Sequence, residues 1–357
     1  MTNQRIAFID ALRAIAAMCV LVQHIADRLI LANVSGHEVW QSIFVSVFDA
    51  GRLGVGAFFI VSGYVVPFSI RPPRALQTFV VGRFFRLYPA YWVSVLFAYA
   101  VLTWYKHLSI PLPHLIANAT MLEMAIGVPV LLGPYWTLII ELAFYGMCVA
   151  LYLCNFLHSQ RVALLGMIGF LMLALALSLI GRVTGLYLHA NLLLNLALMF
   201  FGLALRQADE EGRSDTERRV WFATLVLLPV SAFVVLGAPE RPDPLFTPLS
   251  FLTGYLAAIA IFLLLRARLT GTKPLFAWLA KISYSVYLLH EIVLLLLEDW
   301  LSPGAGWLKQ LTFAGTAVLL TLAWAALVHR WIEQPAMDAG RKISKRLRTS
   351  SRLAVAS

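Results

Sequence analysis

Long apolar stretches separated by short polar or basic segments make up most of this 357-residue chain. Ten of the stretches reach the length of about 20 residues that an α-helix needs to cross a bilayer. They are predicted at residues 8–30, 53–70, 87–105, 135–154, 162–181, 187–205, 220–236, 248–265, 276–297 and 309–329. The pattern therefore predicts an all-α polytopic membrane protein, with one transmembrane domain over residues 1–337 and its helices around a central polar cavity.

One further apolar stretch, residues 111–133, is left out of this count. It contains Pro111, Pro113 and Pro129, and counting it as a crossing would move every later basic connection to the other side of the membrane. We therefore predict that residues 106–134 form an excursion on the outer side, partly re-entrant where protein covers the backbone. The sequence leaves open whether this segment crosses.

Charge adds an orientation to this picture. Hydrophobic residues make up 61% of the chain, and the net charge is +10. Basic residues concentrate in every second connection, at 71–86, 206–219 and 266–274, and in the tail. This asymmetry predicts a protein of the inner (plasma) membrane with both termini in the cytoplasm.

The same distribution indicates which partners the positive charge serves. Basic residues that alternate with membrane spans are typical of contact with membrane lipids, so no nucleic-acid partner is predicted. The tail, residues 338–357, is predicted to be a disordered cytoplasmic segment that touches lipid. The three cysteines lie in apolar spans without the spacing of metal ligands, and no metal site or bound cofactor is predicted.

The first span carries the most informative polar residues. Arg13 and His24 are eleven residues apart, so they share one helical face about 16 Å apart along the axis, and Asp10 lies one turn before Arg13. An arginine near a helix centre costs about 2.5–3.5 kcal/mol to insert into lipid and usually faces a cavity or a partner. The span therefore indicates that something polar or reactive is handled inside the membrane.

A second pair of arginines precedes the third span. Arg83 and Arg86 are three residues apart and would share a helical face at the cytoplasmic surface. Two guanidinium groups in that arrangement suit an anionic group such as phosphate, because the planar fork binds it with two hydrogen bonds. The alternative is an ordinary basic anchor at the membrane surface.

Polar residues also occur inside the second and fourth spans. Ser62 ends a run with two small glycines, and close helix packing is favoured there over a nucleophilic serine. Glu141 lies inside the fourth span after Trp136, with Tyr145 one turn later on the same face. A carboxylate at this depth implies a cation, a proton or a polar cavity, and a structural arginine partner is the alternative.

The ninth span adds a polar stripe. His290 follows Tyr287 by one turn, and both a packing histidine and a substrate-binding histidine fit this pattern. Counting residues from the helix ends places His24, Glu141 and His290 in the outer half of the bilayer. Glu333, at the inner end of the last span, is interpreted as closing a helix end or pairing with a loop arginine.

These motifs together resemble the acyltransferase 3 family of integral membrane acyltransferases, from about Arg5 to Pro335. The resemblance rests on six segments in order: Asp10-Ala-Leu-Arg13 with His24, Gly54 to Tyr64, Arg83 to Pro89, Tyr135 to Tyr145, Ile282 to His290, and Glu333-Gln-Pro335. It implies a cytoplasmic acyl-CoA, such as acetyl-CoA, as co-substrate and O-acylation of a surface polysaccharide or similar acceptor. It also implies that Arg13 and His24 are the essential pair of the first helix, and Arg83 and Arg86 the essential pair of the inner loop.

On this basis we predict transfer of a short acyl group, acetyl above all, to a hydroxyl of a glycan or lipid-linked sugar. His24 would be the general base, Glu141 would orient an imidazole or bind acceptor hydroxyls, and Arg13 would hold the donor or stabilise the oxyanion. Asp10, Ser62, Trp136, Tyr145, Tyr287 and His290 are candidate substrate-binding or structural residues. A covalent acyl-histidine relay remains an alternative.

Two other classes of protein remain as rivals. An exporter of a polar or lipid-linked solute would also use buried arginine, histidine and glutamate, but the chain shows no inverted repeat. A purely structural membrane protein would not explain the converging charges. The sequence leaves the acceptor, the acyl chain length and the oligomeric state open.

Overall fold

The structure is a computed structural model that describes residues 3–186, 189–211, 214–236, 247–271 and 273–356. Within these ranges the chain is helical and contains no strand. The α-helices are α1 (Asn3–Leu31), α2 (His37–Gln41), α3 (Ala50–Val65), α4 (Ala75–Ala100), α5 (Leu112–Ala119), α6 (Trp136–Leu153), α7 (Gln160–Thr184), α8 (Ala190–Glu211), α9 (Ser214–Leu236), α10 (Pro248–Arg268), α11 (Pro274–Leu297), α12 (Trp307–Val328) and α13 (Gln334–Ala356). Short π-helical segments follow α2, α4 and α12.

Ten helical segments of the described chain are long and apolar enough to cross a membrane. They are Ala7–Leu31, His37–Ser69, Ala75–Tyr105, Gly133–Leu153, Gln160–Thr184, Ala190–Glu210, Arg218–Val235, Pro248–Arg268, Pro274–Trp300 and Trp307–Thr349. Each overlaps one predicted span, so the prediction of an all-α polytopic membrane protein is confirmed. Residues 187 and 188 of the sixth predicted span, and residues 212, 213 and 272 in two basic connections, lie outside the described residues.

The first of two compact units comprises Met1–Ile30, Gly36–Pro67 and Ile140–Ala277. Its helices are held together at positions where only glycine fits. A Cβ on Gly63 of α3 would lie 1.8 Å from the backbone oxygen of Met199 in α8, and a Cβ on Gly54 would lie 2.4 Å from that of Ala16 in α1. The prediction that small residues of the second span permit close helix contact is therefore confirmed.

The second unit comprises Leu31–Ser35, Phe68–Ile139 and Trp278–Ser357. Helix α11 is tied to α4 by two side-chain hydrogen bonds to backbone oxygens. The Tyr284 hydroxyl donates to the Leu87 oxygen at 2.9 Å, and the Ser94 hydroxyl of α4 donates to the Leu288 oxygen at 2.8 Å. These bonds fix the register of the two helices that carry most of the predicted polar residues of this unit.

The segment between α4 and α6 folds back against α4. Three successive backbone oxygens, of residues 118–120, accept hydrogen bonds from Tyr91, Trp92 and Tyr88 at 2.7 to 3.0 Å. These donors lie near the middle of the Ala75–Tyr105 span, so the segment reaches well into the depth of that span. No candidate span lies within residues 106–132, and the re-entrant excursion over residues 106–134 stays a prediction.

The predicted start of the third span was wrong. Helix α4 begins at Ala75 rather than at residue 87, so Arg83 and Arg86 lie inside a helix and not in a loop. The helix tolerates both arginines because protein groups contact them, as described below.

The prediction of a disordered tail was also wrong, because residues up to Ala356 form α13. Sequence analysis missed an apolar face formed by Met337, Gly340 and Leu347, which are buried or half-buried. Gly340 packs on Phe85 of α4 so closely that an added Cβ would lie 2.8 Å from the Phe85 Cβ. Packing on α4 therefore orders this segment.

Candidate active site

Helix α1 presents a polar face in the first unit. At about 100° per residue, Asp10, Arg13, His24, Asp27 and Arg28 fall within an arc of about 100°. All five are partly exposed, whereas the apolar neighbours Leu12, Ile25 and Leu29 are buried. The sequence predicted the first three of these residues and missed the last two. Their spacing of three and four residues from His24 was the signal that could have found them.

Gln23 connects the part of α1 around His24 to the start of α3 and to the segment before it. Its Oε1 accepts a hydrogen bond from the Ala50 backbone N–H at 2.9 Å, and its Nε2 donates to Asp27 Oδ1 at 3.0 Å and to the Phe44 oxygen at 3.2 Å. Gln23 is 2% exposed, so these bonds are largely shielded from water. The amide thereby fixes α1 at the residue next to His24 and holds the Asp27 carboxylate.

Glu141 lies at the centre of a second polar group in the first unit. It accepts a hydrogen bond from the Tyr145 hydroxyl at 2.5 Å and a longer one from the Ser62 hydroxyl at 3.5 Å. The structure thus brings together three residues that the sequence singled out on two separate spans. Ser62 donates to a carboxylate, so its hydroxyl serves hydrogen bonding here.

Tyr287 and His290 occupy the interior of the second unit. The Tyr287 hydroxyl donates to the Pro134 oxygen at 2.8 Å and lies 2.8 Å from the Thr137 hydroxyl. His290 is fully buried, with Nδ1 3.1 Å from the Val286 oxygen of the preceding turn. These contacts join α11 to the start of α6.

Trp136, the first residue of α6, is partly exposed and precedes Thr137 directly. It therefore lies beside the Tyr287 contacts in the second unit, as a side chain that keeps some access to its surroundings. The ring of His290 lies 6.0 Å from that of Tyr287. The structure thus brings Tyr287 and His290 together, next to the start of the helix that Trp136 begins.

Arg86 is engaged in a buried ion pair with Glu333. One Glu333 oxygen pairs with the Arg86 guanidinium, and the other accepts from the Ser285 hydroxyl at 2.8 Å and contacts His329 Nδ1 at 3.1 Å. The Glu333 side chain is 0% exposed and that of Arg86 is 20% exposed. The interpretation that Glu333 pairs with an arginine is confirmed, although this arginine belongs to a helix.

Arg83, three residues earlier, lies on the same side of α4. Its guanidinium carbon is 5.7 Å from the centre of the Phe79 ring, within the range of a cation–π contact. The Arg86 guanidinium carbon lies 5.6 Å from the Tyr284 ring. Both cations therefore have aromatic neighbours in the first half of the Ala75–Tyr105 span.

The fold and these polar groups define a multi-pass membrane protein with charged side chains inside its spans. The model of the acyltransferase 3 family, described as an acyltransferase domain, matches residues 6–330. The chain therefore belongs to this family.

A curated relative supports the same class of activity. The chain is 26% identical over 149 residues to "Acyltransferase MdmB" of Streptomyces mycarofaciens. The matched region covers 40% of this chain and 38% of that protein, so the alignment spans less than half of the relative. The search of solved structures found no match.

Proposed function

We propose that this protein is an O-acyltransferase of the inner membrane. It moves a short acyl group, acetyl above all, from cytoplasmic acyl-CoA to a hydroxyl of a cell-surface glycan or lipid-linked sugar. Family membership supports the acyl transfer. The observation that carries the proposed site is the polar face of α1, where His24 is partly exposed between the buried residues Gln23 and Ile25.

His24 acts as the general base. A neutral imidazole takes the proton of the acceptor hydroxyl as its oxygen attacks the thioester carbonyl carbon, a role that typically contributes about 10²- to 10⁴-fold. The carbon–sulfur bond then breaks, and the leaving thiolate takes the proton from the imidazolium. No other histidine shares the described part of α1.

Glu141 binds the acceptor in this proposal. The Tyr145 and Ser62 hydroxyls donate to its carboxylate and hold it in place. A carboxylate can accept further hydrogen bonds from sugar hydroxyls, because two oxygens offer about four acceptor positions. Trp136, Tyr287 and His290 belong to the second unit and stay candidate sugar-binding residues there.

Arg83 and Arg86 bind the donor phosphates. Arg86 is held by Glu333, so its guanidinium does not need to be ordered when the donor arrives. Arg13, on the polar face of α1, holds the polar arm of the donor. The basic connection before α4 supports access to Arg83 and Arg86 from the cytoplasmic side.

A thiol-release assay tests this function. Acetyl-CoA is added to inverted membrane vesicles containing the protein, the free thiol is followed over time, and membrane glycans are examined by mass for added acetyl groups. His24→Ala is expected to lower the rate of thiol release by about 10²-fold or more, while the protein stays in the membrane. His37→Ala, on α2, is the matched control and is expected to keep the wild-type rate.

Two outcomes would contradict the proposal. Wild-type rates in folded His24→Ala protein would remove the base from the mechanism. Absence of thiol release from the wild-type protein would reject acetyl-CoA as donor, and transport of a labelled solute without thiol release would favour the exporter.

A further inference from the structure

We propose that Arg28 is a further catalytic residue, whose guanidinium stabilises the oxyanion formed when the acceptor attacks the thioester. This inference rests on the proposed function and deepens it. Arg28 lies on α1 one turn beyond His24, and neither the family resemblance nor the sequence pattern assigned it a role.

Distance along α1 is the first argument. The helix is continuous over Asn3–Leu31, so four residues place Arg28 about 6 Å from His24 along the axis, whereas Arg13 is about 16 Å away. The reacting hydroxyl must lie about 3 Å from the imidazole, and the carbonyl carbon about 3 Å from that hydroxyl. An oxyanion donor must therefore come from the immediate surroundings of His24, and Arg28 meets this condition better than Arg13.

Exposure along the helix is the second argument. Between Gln23 and Ile30, the apolar side chains of Ile25, Ala26 and Leu29 are at most 6% exposed. His24 and Arg28 are partly exposed, so over this stretch they keep access on the same side of α1. The Arg28 Nε is shielded from solvent, which indicates that the guanidinium base is enclosed by protein.

Electrostatic contact is the third argument. One helical turn separates Arg28 from His24, which places the guanidinium charge within electrostatic range of the ring. A charge that reaches the base also reaches a reacting carbonyl next to the base, because both lie within the same few ångströms. In a site with little water, such a charge stabilises a developing oxyanion more strongly than it would in bulk water.

Rigid support is the fourth argument. Gln23 bonds to the Ala50 backbone and to Phe44, and its Nε2 holds Asp27, the residue before Arg28. This part of α1 is thus fixed to the start of α3 before substrate binds. Fixed donors are effective because they need no reorganisation as charge develops.

The reaction step balances with these groups. The acceptor oxygen forms a bond to the carbonyl carbon while its proton moves to His24, and the carbonyl π electrons move to oxygen, which becomes the oxyanion facing Arg28. When the oxyanion collapses, the carbon–sulfur bond breaks and the thiolate takes the proton from His24. Arg28 keeps its proton and its charge throughout, as a guanidinium does at neutral pH.

The test separates catalysis from binding and from folding. Arg28→Gln is expected to lower kcat by about 10²- to 10³-fold, with KM for acetyl-CoA changed by less than about threefold. Arg28→Lys keeps a charge but loses the planar fork, and a loss of about tenfold in kcat is expected. Arg182→Gln, an exposed arginine of α7, is the matched control and is expected to keep wild-type kcat.

Each outcome decides the proposal. Wild-type kcat in Arg28→Gln, or a raised KM with unchanged kcat, would overturn it. Should Arg28→Gln fail to fold in detergent, the folded Arg28→Lys variant decides, and wild-type kcat there would show that Arg28 is only structural. The underlying function is tested independently by thiol release from the wild type and its loss in His24→Ala. Failure of the proposed function can therefore be distinguished from failure of the oxyanion role of Arg28.

Discussion

Glu333 illustrates how a charge is stabilised inside this protein at the scale of one residue. Its carboxylate pairs with Arg86 and also contacts Ser285 and His329, although the side chain is completely shielded from water. The π-helical turn His329–Glu333 brings His329 and Glu333 onto one side of the chain. Such a pair contributes less net stability than its contacts suggest, but removal of one partner leaves an uncompensated charge.

Glu333→Gln is therefore expected to destabilise the protein. The loss in free energy of unfolding should be about 3 kcal/mol, at the low end for a buried pair because Arg86 retains some exposure. Thermal unfolding of the purified protein in detergent measures it. Glu298→Gln, which removes one of two carboxylate partners of Lys106 at a side chain that is 28% exposed, is the control and is expected to cost less than about 1 kcal/mol.

The double variant Arg86→Gln/Glu333→Gln checks the cause. If the ion pair is responsible, the double variant should be less destabilised than the sum of the two single variants. Additive losses would show that Arg86 and Glu333 act independently.

Sequence reasoning at this scale recognised polar residues but not their partners. His24 and Arg13 were identified because charged groups in an apolar span stand out, and α1 does place them on one face. The bonds of Glu141 with Ser62 and of Arg86 with Glu333 join residues 79 and 247 positions apart. No local spacing encodes such pairs. Gln23 was missed because an uncharged amide in an apolar run carries little signal.

At the scale of elements, spans were predicted well and boundaries poorly. A window of apolar residues identifies a spanning helix, but it does not show where the helix continues beyond the apolar part. Helix α4 extends twelve residues before its predicted start, at Ala75 instead of residue 87, and α13 extends the last span. Both extensions pack on each other at Gly340 and Phe85, a contact that single-segment patterns do not reveal.

The segment between α4 and α6 contains a buried carboxylate, that of Glu123. Glu123 is 1% exposed, and its Oε2 makes no hydrogen bond within the described residues. Burial raises the pKa of this carboxyl group above its ordinary value of 4.5, although a hydrogen bond from its own backbone opposes the shift. The neutral form is therefore the one that the folded segment favours.

This shift gives a pH dependence of stability with a definite sign. Because the folded-state pKa is raised, the folded protein binds the proton more tightly, and stability falls as pH rises from about 4.5 through the folded-state pKa. Glu123→Gln removes the titrating group at nearly constant shape. In detergent, the melting temperature of this variant relative to wild type is expected to increase between about pH 4 and pH 8.

Glu38→Gln provides the control for this experiment. The Glu38 side chain is 74% exposed and pairs with His37 on α2, so its replacement should leave the pH profile unchanged. A melting-temperature difference for Glu123→Gln that stays constant with pH would show that folding does not shift the pKa of Glu123.

At the scale of the whole molecule, the number of spans was the most reliable prediction. Apolar length alone decides it, since each crossing needs about 20 residues whatever its neighbours are. The division into two units interleaves distant parts of the chain, as Met1–Ile30 joins Ile140–Ala277. Nothing in the order of the spans predicts that grouping, because it depends on which helix faces are complementary.

Orientation in the membrane is the prediction that belongs to the whole molecule. Cys154, exposed after α6, should face the cytoplasm if both termini do, and five candidate spans separate it from exposed Ser302. With Cys19 and Cys148 replaced by serine, a membrane-impermeant maleimide is expected to label Cys154 in inverted vesicles only. In a chain without native cysteines, Ser302→Cys should be labelled only in right-side-out vesicles. Labelling of both positions from the same side would contradict an odd number of crossings between them. Labelling of each position from the opposite side to the one expected would reverse the orientation that the basic connections predict.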